Sequence, residues 1–275
     1  MVSVQIIFLE RRDSLLSVIE KVSFRGDKPW NEDRLVVDGG YYVVIDGSTP
    51  ENPSLFKGYN SSGEWIADKF REFLSLSSNN ELDFRMKCIE FINYTFEIFR
   101  ETEEHNSPCL TCAAVSFLGD TLHCDVIGDC SIYLRWKTGK IKLLTDKSID
   151  EFSKKTLRMK REAMAKGEDP EEAVTKQQQA NRFYMNKRDG YYVVGYNNGF
   201  LEGFQSIAIP VNAIDKILLC TDGFSRVFDY GLVSSRDIFH KEVTLNEAVK
   251  LLRDYENTHG NKVKKSDDAT ALLLA

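Results

Sequence analysis

Val43-Val44-Ile45-Asp46-Gly47-Ser48 is the stretch on which the reading of this chain turns. Three β-branched residues run into an acid and then a glycine. That pattern reads as a buried strand ending at a sharp turn, with the Asp46 carboxylate at its edge. An acid just past an apolar strand needs a cation or several donors, because an unpaired charge in a dry core is costly. Three other strand-like runs carry acids in the same way: Asn31-Glu32-Asp33 before Leu35-Val36-Val37, Ile217-Leu218-Leu219-Cys220 running into Thr221-Asp222-Gly223, and Asp267-Asp268-Ala269-Thr270 before Ala271-Leu272-Leu273-Leu274. Carboxylates repeated at strand ends, far apart in sequence, point to one shared metal site.

Working outward, Arg34–Val37 and Tyr41–Ile45 flank Asp38-Gly39-Gly40. Asp-Gly between apolar runs is a tight-turn signal, so a hairpin is expected that brings Asp33 and Asp46 to the same end of adjacent strands. Upstream, residues 2–9 read as a strand and 14–24 as a short further element. The loop Arg25-Gly26-Asp27-Lys28-Pro29-Trp30 sets two cations directly before Glu32. Downstream, Ser61-Ser62-Gly63-Glu64 has the spacing of a capping box. It opens a helix with a stripe at Trp65, Ile66, Phe70, Phe73 and Leu74, and a second helix runs over about 81–103. Strands at 111–118, 121–127, 131–136 and 141–144 read as one antiparallel meander. Residues 146–189 turn charged and Gln-rich, which predicts a helical insertion with a connection at Gly167-Glu168-Asp169-Pro170; an active-site flap and a solvated hairpin are equally compatible with it. Strands at 191–194, 206–209, 216–221 and 269–274 follow, with helices near 224–229, 234–240 and 245–256. With no repeat and no linker, the 275 residues are read as a single α+β domain of two antiparallel sheets with covering helices.

Bulk properties narrow the function classes. The formal net charge of −6 leaves no basic surplus to neutralise phosphates, so nucleic acid is not the expected partner. No apolar run approaches the roughly 18 residues of a membrane span. Residues 1–10 precede Arg11-Arg12-Asp13, the wrong order for a secretion leader, so a cytoplasmic location is expected. Cys109 and Cys112 form a lone C-x-x-C, half of a zinc site without its other half, and the six cysteines are read as buried thiols.

Asp and Glu oxygens are hard donors that suit Mg²⁺ or Mn²⁺; no His stands beside any of the four acidic stretches, and Cys220 belongs to an apolar run, so zinc is not suggested. Four to six carboxylates exceed what one Mg²⁺ takes, and suit two ions sharing a bridging carboxylate. The ordered series Asn31-Glu32-Asp33, Val44-Ile45-Asp46-Gly47, Ile127-Gly128-Asp129-Cys130-Ser131, Leu219-Cys220-Thr221-Asp222-Gly223-Phe224 and Ser266-Asp267-Asp268-Ala269-Thr270 resembles the metal-dependent type 2C protein phosphatases, especially their bacterial members.

The resemblance implies a four-layer α-β-β-α sandwich with a metal centre between the sheet ends. It implies hydrolysis of phosphoserine and phosphothreonine by direct attack of a metal-activated water, with no phosphoenzyme. By position, Asp46 would bridge two Mn²⁺ or Mg²⁺ ions. Glu32 and the Gly47 carbonyl would serve one ion, and Asp222 and Asp267 the other. Asp33 would ligate directly or hold a bound water, and Asp129 with Asp222 would form a third site. Asp268 stands where the family has Asn, which leaves the pair Asp267 and Asp268 open. Lys28 occupies the family's phosphate-binding Arg position, with Arg25 as the alternative cation. Ser48 replaces the His found after Asp-Gly in many eukaryotic members. A phosphorylated protein is the expected partner of a monomeric enzyme. Two rivals stand beside this reading: a non-catalytic binding module of the same fold, and a two-metal phosphoesterase acting on a small molecule.

Overall fold

The computed structural model describes residues 16–38, 40–50, 56–76, 83–99, 106–195, 197–259 and 266–275, the side chains of 96–99 excepted. The strand expected at 2–9 lies outside them, as do the ends of the helix expected at 81–103. Among the described residues, ten strands form two antiparallel sheets. One sheet holds β1 (Val18–Phe24), β6 (Ser131–Trp136), β7 (Ile141–Thr145), β9 (Ile214–Cys220) and β10 (Ala269–Leu274), in the order β1-β10-β9-β6-β7. The other holds β2 (Asp33–Asp38), β3 (Tyr41–Ser48), β4 (Cys109–Leu118), β5 (Thr121–Ile127) and β8 (Gln205–Pro210), in the order β2-β3-β4-β5-β8.

Period-two alternation assigns each strand's two faces. In β3, Tyr42 and Val44 meet Ile132, Leu134, Ile217, Leu219, Leu272 and Leu274 in a core between the sheets. Val43 and Ile45 face the other way, onto Ile66, Phe70 and Leu74 of α1 (Ser62–Leu76) and Phe84 and Phe91 of α2 (Phe84–Phe99). On the far side, Leu218, Cys220, Ala271 and Leu273 pack on α5 (Asp222–Asp229), α6 (Ser235–His240) and α7 (Leu245–His259). The result is the expected α-β-β-α sandwich, with three apolar layers between four layers of structure. Each fully buried Val, Leu or Phe in these layers contributes roughly 1.5–3 kcal/mol. Among the described residues, no helix is long and apolar enough to cross a membrane.

Three local expectations are corrected. The run 111–144 is not one meander: β4 and β5 belong to one sheet, while β6 and β7 belong to the other. The chain crosses between sheets at Gly128-Asp129, where Gly128 has φ of 74° and a Cβ would lie 2.2 Å from Thr111 Cγ2. Periodicity reports that a segment is a strand, not which sheet takes it. Residues 191–194 form no strand; Tyr191 and Val194 make only isolated bridges, to Met185 and Leu110. The cap at Ser61 is half of a capping box: Ser61 Oγ accepts from Glu64 N at 3.0 Å, while the Glu64 carboxylate reaches back to Asn60 N at 2.9 Å.

The insertion is a helical hairpin of α3 (Ser148–Lys166) and α4 (Pro170–Arg182). The connection falls at Gly167–Pro170 as expected: Gly167 closes α3 in the left-handed region and Asp169 caps α4 ahead of Pro170. Its two arms are joined by polar contacts. Asn181 Nδ2 on α4 donates to Thr156 Oγ1 at 3.1 Å and the Phe152 carbonyl at 3.3 Å on α3, and Gln177 Nε2, one turn back on α4, orients it by donating to Asn181 Oδ1 at 2.7 Å. Its base rests on a small cluster of Cys109, Met185, Tyr191 and Val193.

Candidate functional site

The alternation that sends Tyr42 and Val44 into the seam between the sheets sends Asp46 there too. Asp33 pairs directly with Asp46 across β2 and β3, and Thr111 of β4 pairs with Asp46 on its other side. From the opposite sheet, Thr221 follows β9 and Thr270 belongs to β10. Thr221 Oγ1 donates to Asp33 Oδ2 at 2.8 Å. One end of the seam is thus closed by hydroxyls and carboxylates where the rest is closed by aliphatic side chains.

The electrostatics follow from this crowding. Burial raises the Asp46 carboxyl well above the usual aspartate range, and the charges of Asp33, Asp222, Asp129 and Asp267 raise it further. Burial also raises Asp33, helped by Asp268 and opposed by the Thr221 and Thr270 hydroxyls. Asp129, at the crossing from β5 to β6, accepts from Thr111 Oγ1 at 3.3 Å. Asp33, Asp129, Asp222 and Asp267 come from four stretches of chain apart from that of Asp46, and all four act on its charge.

The remaining acids already have partners. Glu32 is buried; its carboxylate accepts from Thr49 Oγ1 and Ser61 Oγ at 2.5 Å each and ion-pairs with Lys28 Nζ. Burial works against the Lys28 charge, and Glu32, Asp267 and Asp268 outweigh it, so the ammonium is held charged. Asp268 takes Gly26 N at 2.7 Å on one oxygen and Glu32 N at 2.6 Å on the other. It clamps the 26–32 loop, which leaves Asp267 as the more available of the adjacent pair. Asp267 lies 2.6 Å from Nη2 of Arg226, and Asp222 lies 3.8 Å from the same nitrogen. Burial opposes the Arg226 charge, but Asp222, Asp267 and Glu256 hold it in place. Arg25 is exposed, and its guanidinium folds back 3.4 Å from the Lys28 carbonyl.

Gly47 sits where chains crowd. Its N–H donates to the Glu32 carbonyl at 3.1 Å, and a Cβ there would lie 2.2 Å from the Gly63 carbonyl oxygen. This contact fixes the β3 end against the start of α1.

An all-oxygen donor set suits a hard divalent cation. The part centred on Asp46 fits one well, since its strongest charged neighbours are all carboxylates. Among the described residues, no three Asp, Glu, His or Cys side chains already close around one point. Glu32 is drawn to Lys28, and Asp267 is drawn to Arg226. The cysteines contribute no ligand or nucleophile: all six are buried and free, and burial pushes the Cys112, Cys124, Cys130 and Cys220 thiols up.

Two arginines at the site went unread in the sequence. Arg226 was legible in principle, one helical turn after Asp222. Arg182, the last residue of α4, had no local signal. Its Nη1 donates to Ser48 Oγ at 3.3 Å, and its Nη2 donates to the Ser107 carbonyl at 2.5 Å and approaches Cys109 Sγ at 3.7 Å. The helical hairpin thereby delivers a guanidinium to the residue two positions beyond Asp46.

Comparison with known proteins agrees with this architecture. The family model for protein phosphatase 2C matches residues 35–264, most of the chain, beginning just past Asp33 and ending just short of Asp267. No curated protein matches the chain by sequence. Among solved structures, the serine/threonine phosphatase Stp1 from Staphylococcus aureus is 18% identical with a TM-score of 0.56, covering 94% of this chain and 95% of that one. PppA from Pseudomonas aeruginosa, described as a regulatory component of its T6SS, is 17% identical with a TM-score of 0.57, covering 94% and 96%. The serine/threonine phosphatase PstP/Ppp from Mycobacterium tuberculosis is 19% identical with a TM-score of 0.54, covering 94% and 97%. At these identities the structures speak to the fold, and the family match speaks to descent: the chain belongs to the protein phosphatase 2C family of phosphatase enzymes.

Proposed function

We propose that this chain is a metal-dependent serine/threonine phosphoprotein phosphatase that works with Mn²⁺ or Mg²⁺ gathered around Asp46. The observation that carries the reading is the convergence of Asp33, Asp129, Asp222 and Asp267 on the charge of Asp46 at one end of the inter-sheet seam. A catalytic domain of PstP with the same fold was crystallised with two manganese ions, which supports the choice of metal. In this reading Asp46 would be shared between the ions, with Glu32 and the Gly47 carbonyl available to one and Asp222 and Asp267 to the other. Asp33 ligates or holds a water, and Asp129 with Asp222 offers a third, weaker position. Ions held by these residues would supply a water activated for attack and would offset charge developing on the phosphoryl group.

The chain's own residues have separable tasks. Lys28, charged and half-exposed beside Glu32, attracts the phosphate as a point charge, and Arg25 stands further out as a second cation. Burial of every cysteine argues for direct hydrolysis over a thiol-phosphate intermediate. The hairpin of α3 and α4 serves as a flap beside the substrate, in a single domain that acts as a monomer in the cytoplasm. The test is hydrolysis of p-nitrophenyl phosphate and of phosphopeptides by metal-stripped protein, with Mn²⁺, Mg²⁺ or Zn²⁺ added back. Restoration by Mn²⁺ or Mg²⁺ is expected; folded protein inert with every metal would overturn the reading.

One observation favours a second reading, a folded binding module without turnover. Glu32 and Asp267 each already hold a cation of the chain, Lys28 and Arg226. The same assay separates the two.

A further inference from the structure

Lys28 and Arg226 both sit against acids of the site, but they are held differently. The Lys28 side chain is 52% exposed, on a loop, and free to extend into solvent. The Arg226 side chain is 7% exposed, on a helix that packs its own face into the core. Arg226 is also braced from behind. Its Nη1 lies 3.5 Å from Glu256, a buried acid on α7, whose other oxygen takes Arg253 Nη1 at 2.7 Å and Ser266 Oγ at 2.7 Å. Arg253 in turn donates to the Asp267 carbonyl at 2.6 Å. Helix α7, the strand end before β10 and helix α5 thus lock one guanidinium against Asp267 and Asp222.

We infer that Arg226 is a cation built into the Asp222–Asp267 side of the site, so that this side takes up an added divalent ion far more weakly than the Glu32–Gly47 side of Asp46. The inference rests on the proposed metal-dependent reading. An ion entering beside Asp222 and Asp267 meets a fixed positive charge within hydrogen-bond distance of one of its ligands. Like charges at that separation, partly shielded from water, repel strongly. On the Glu32–Gly47 side the cation is Lys28, half-exposed on a loop, which can swing into solvent as an ion enters.

The test is Mn²⁺ binding to the intact, metal-stripped chain, measured by calorimetry and by equilibrium dialysis, without any activity readout. Wild type should take up one Mn²⁺ tightly and a second at least about tenfold more weakly. Arg226→Met paired with Glu256→Gln, which avoids stranding a buried carboxylate, should tighten the second ion by about tenfold or more. Arg226→Lys keeps the charge and should keep the second ion weak. Two ions of equal affinity in wild type, or an unchanged second affinity in the double variant, would overturn the inference while leaving the metal-dependent reading standing. No Mn²⁺ taken up by any of these proteins would overturn that reading, and this inference with it.

Discussion

At the site, two Asp-Gly pairs follow an apolar run, and the backbone treats them in opposite ways. Asp46-Gly47 stays inside β3, which continues to Ser48. Asp222-Gly223 leaves β9, which stops at Cys220, and opens α5. Strand continuation keeps Asp46 on the inter-sheet face, where Asp33, Asp129, Asp222 and Asp267 all act on its charge. Helix initiation sets Asp222 one turn before Arg226, the spacing at which helical side chains meet. The same dipeptide therefore makes an uncompensated carboxylate in one place and a compensated one in the other. Backbone conformation after the acid decides which.

The largest test of this contrast is Asp46→Asn. Hydrolysis should fall by about 10³-fold or more, because the proposed shared ligand would be lost. Thermal unfolding of the metal-free variant should match or exceed wild type, since a repelled carboxylate has been removed. Full turnover by the purified variant would sink the assignment of Asp46.

Next come the glycines that follow the two acids. A Cβ at Gly223 would lie 1.8 Å from the Asp268 carbonyl oxygen, and one at Gly47 would lie 2.2 Å from the Gly63 carbonyl oxygen. Both obstacles are backbone and cannot rotate away. Gly223→Ala and Gly47→Ala should each cost about 2–4 kcal/mol of stability, with Gly223→Ala the worse. Denaturant midpoints for the two variants check this, and a loss below about 0.5 kcal/mol in either would show that the junctions are looser than described.

A smaller effect is expected at Arg182, the guanidinium that the hairpin brings to the β3 end. Arg182→Ala should release the foot of α4 from Ser48 and the Ser107 carbonyl, at a local cost of about 1–2 kcal/mol. Limited proteolysis between residues 183 and 189 should accelerate several-fold while the global transition barely moves. Unchanged cleavage would show that the hairpin is held by its apolar base alone.

The smallest is Asp125, a buried acid on β5 with no part in the contrast and useful as its control. Burial raises its carboxyl, opposed by the Ser206 hydroxyl. The folded state then binds the proton more tightly than the unfolded chain, so this group's contribution weakens as pH rises from the ordinary aspartate range through the raised value. Asp125→Asn should add about 1 kcal/mol at neutral pH and nothing below the ordinary aspartate range, with or without Mn²⁺. A gain that persists at low pH would point to packing as its cause.

Much of the site was legible because strand periodicity and acid placement are local. Val43-Val44-Ile45 with Asp46, and the turn after Asp38, were enough to expect Asp33 and Asp46 side by side, and β2 and β3 pair them. Arg226 was also within local reach and was passed over because Asp222-Gly223 reads first as a strand end. The division of 111–144 between two sheets was not legible, since β6 pairs with β9 on the far side of the chain. Tyr191–Val194 has strand composition but spends it on packing against Cys109 and Met185.

By itself, then, the sequence determined the alternation that buries three apolar layers, the acids at the strand ends, the hard-metal character of the donor set and a helical insertion with its connection at Gly167-Glu168-Asp169-Pro170. These follow from spacing and side-chain chemistry within a few residues. The tertiary structure alone decided which charges meet. Arg182 reaches Ser48 across 134 positions and Thr221 reaches Asp33 across 188. Asp268 is consumed in clamping the loop before Glu32, and Glu256 braces Arg226 from another helix. Pairings of that range depend on how two sheets and their helices close on one another, and Coulomb forces in the closed seam are set by distances that no local pattern encodes.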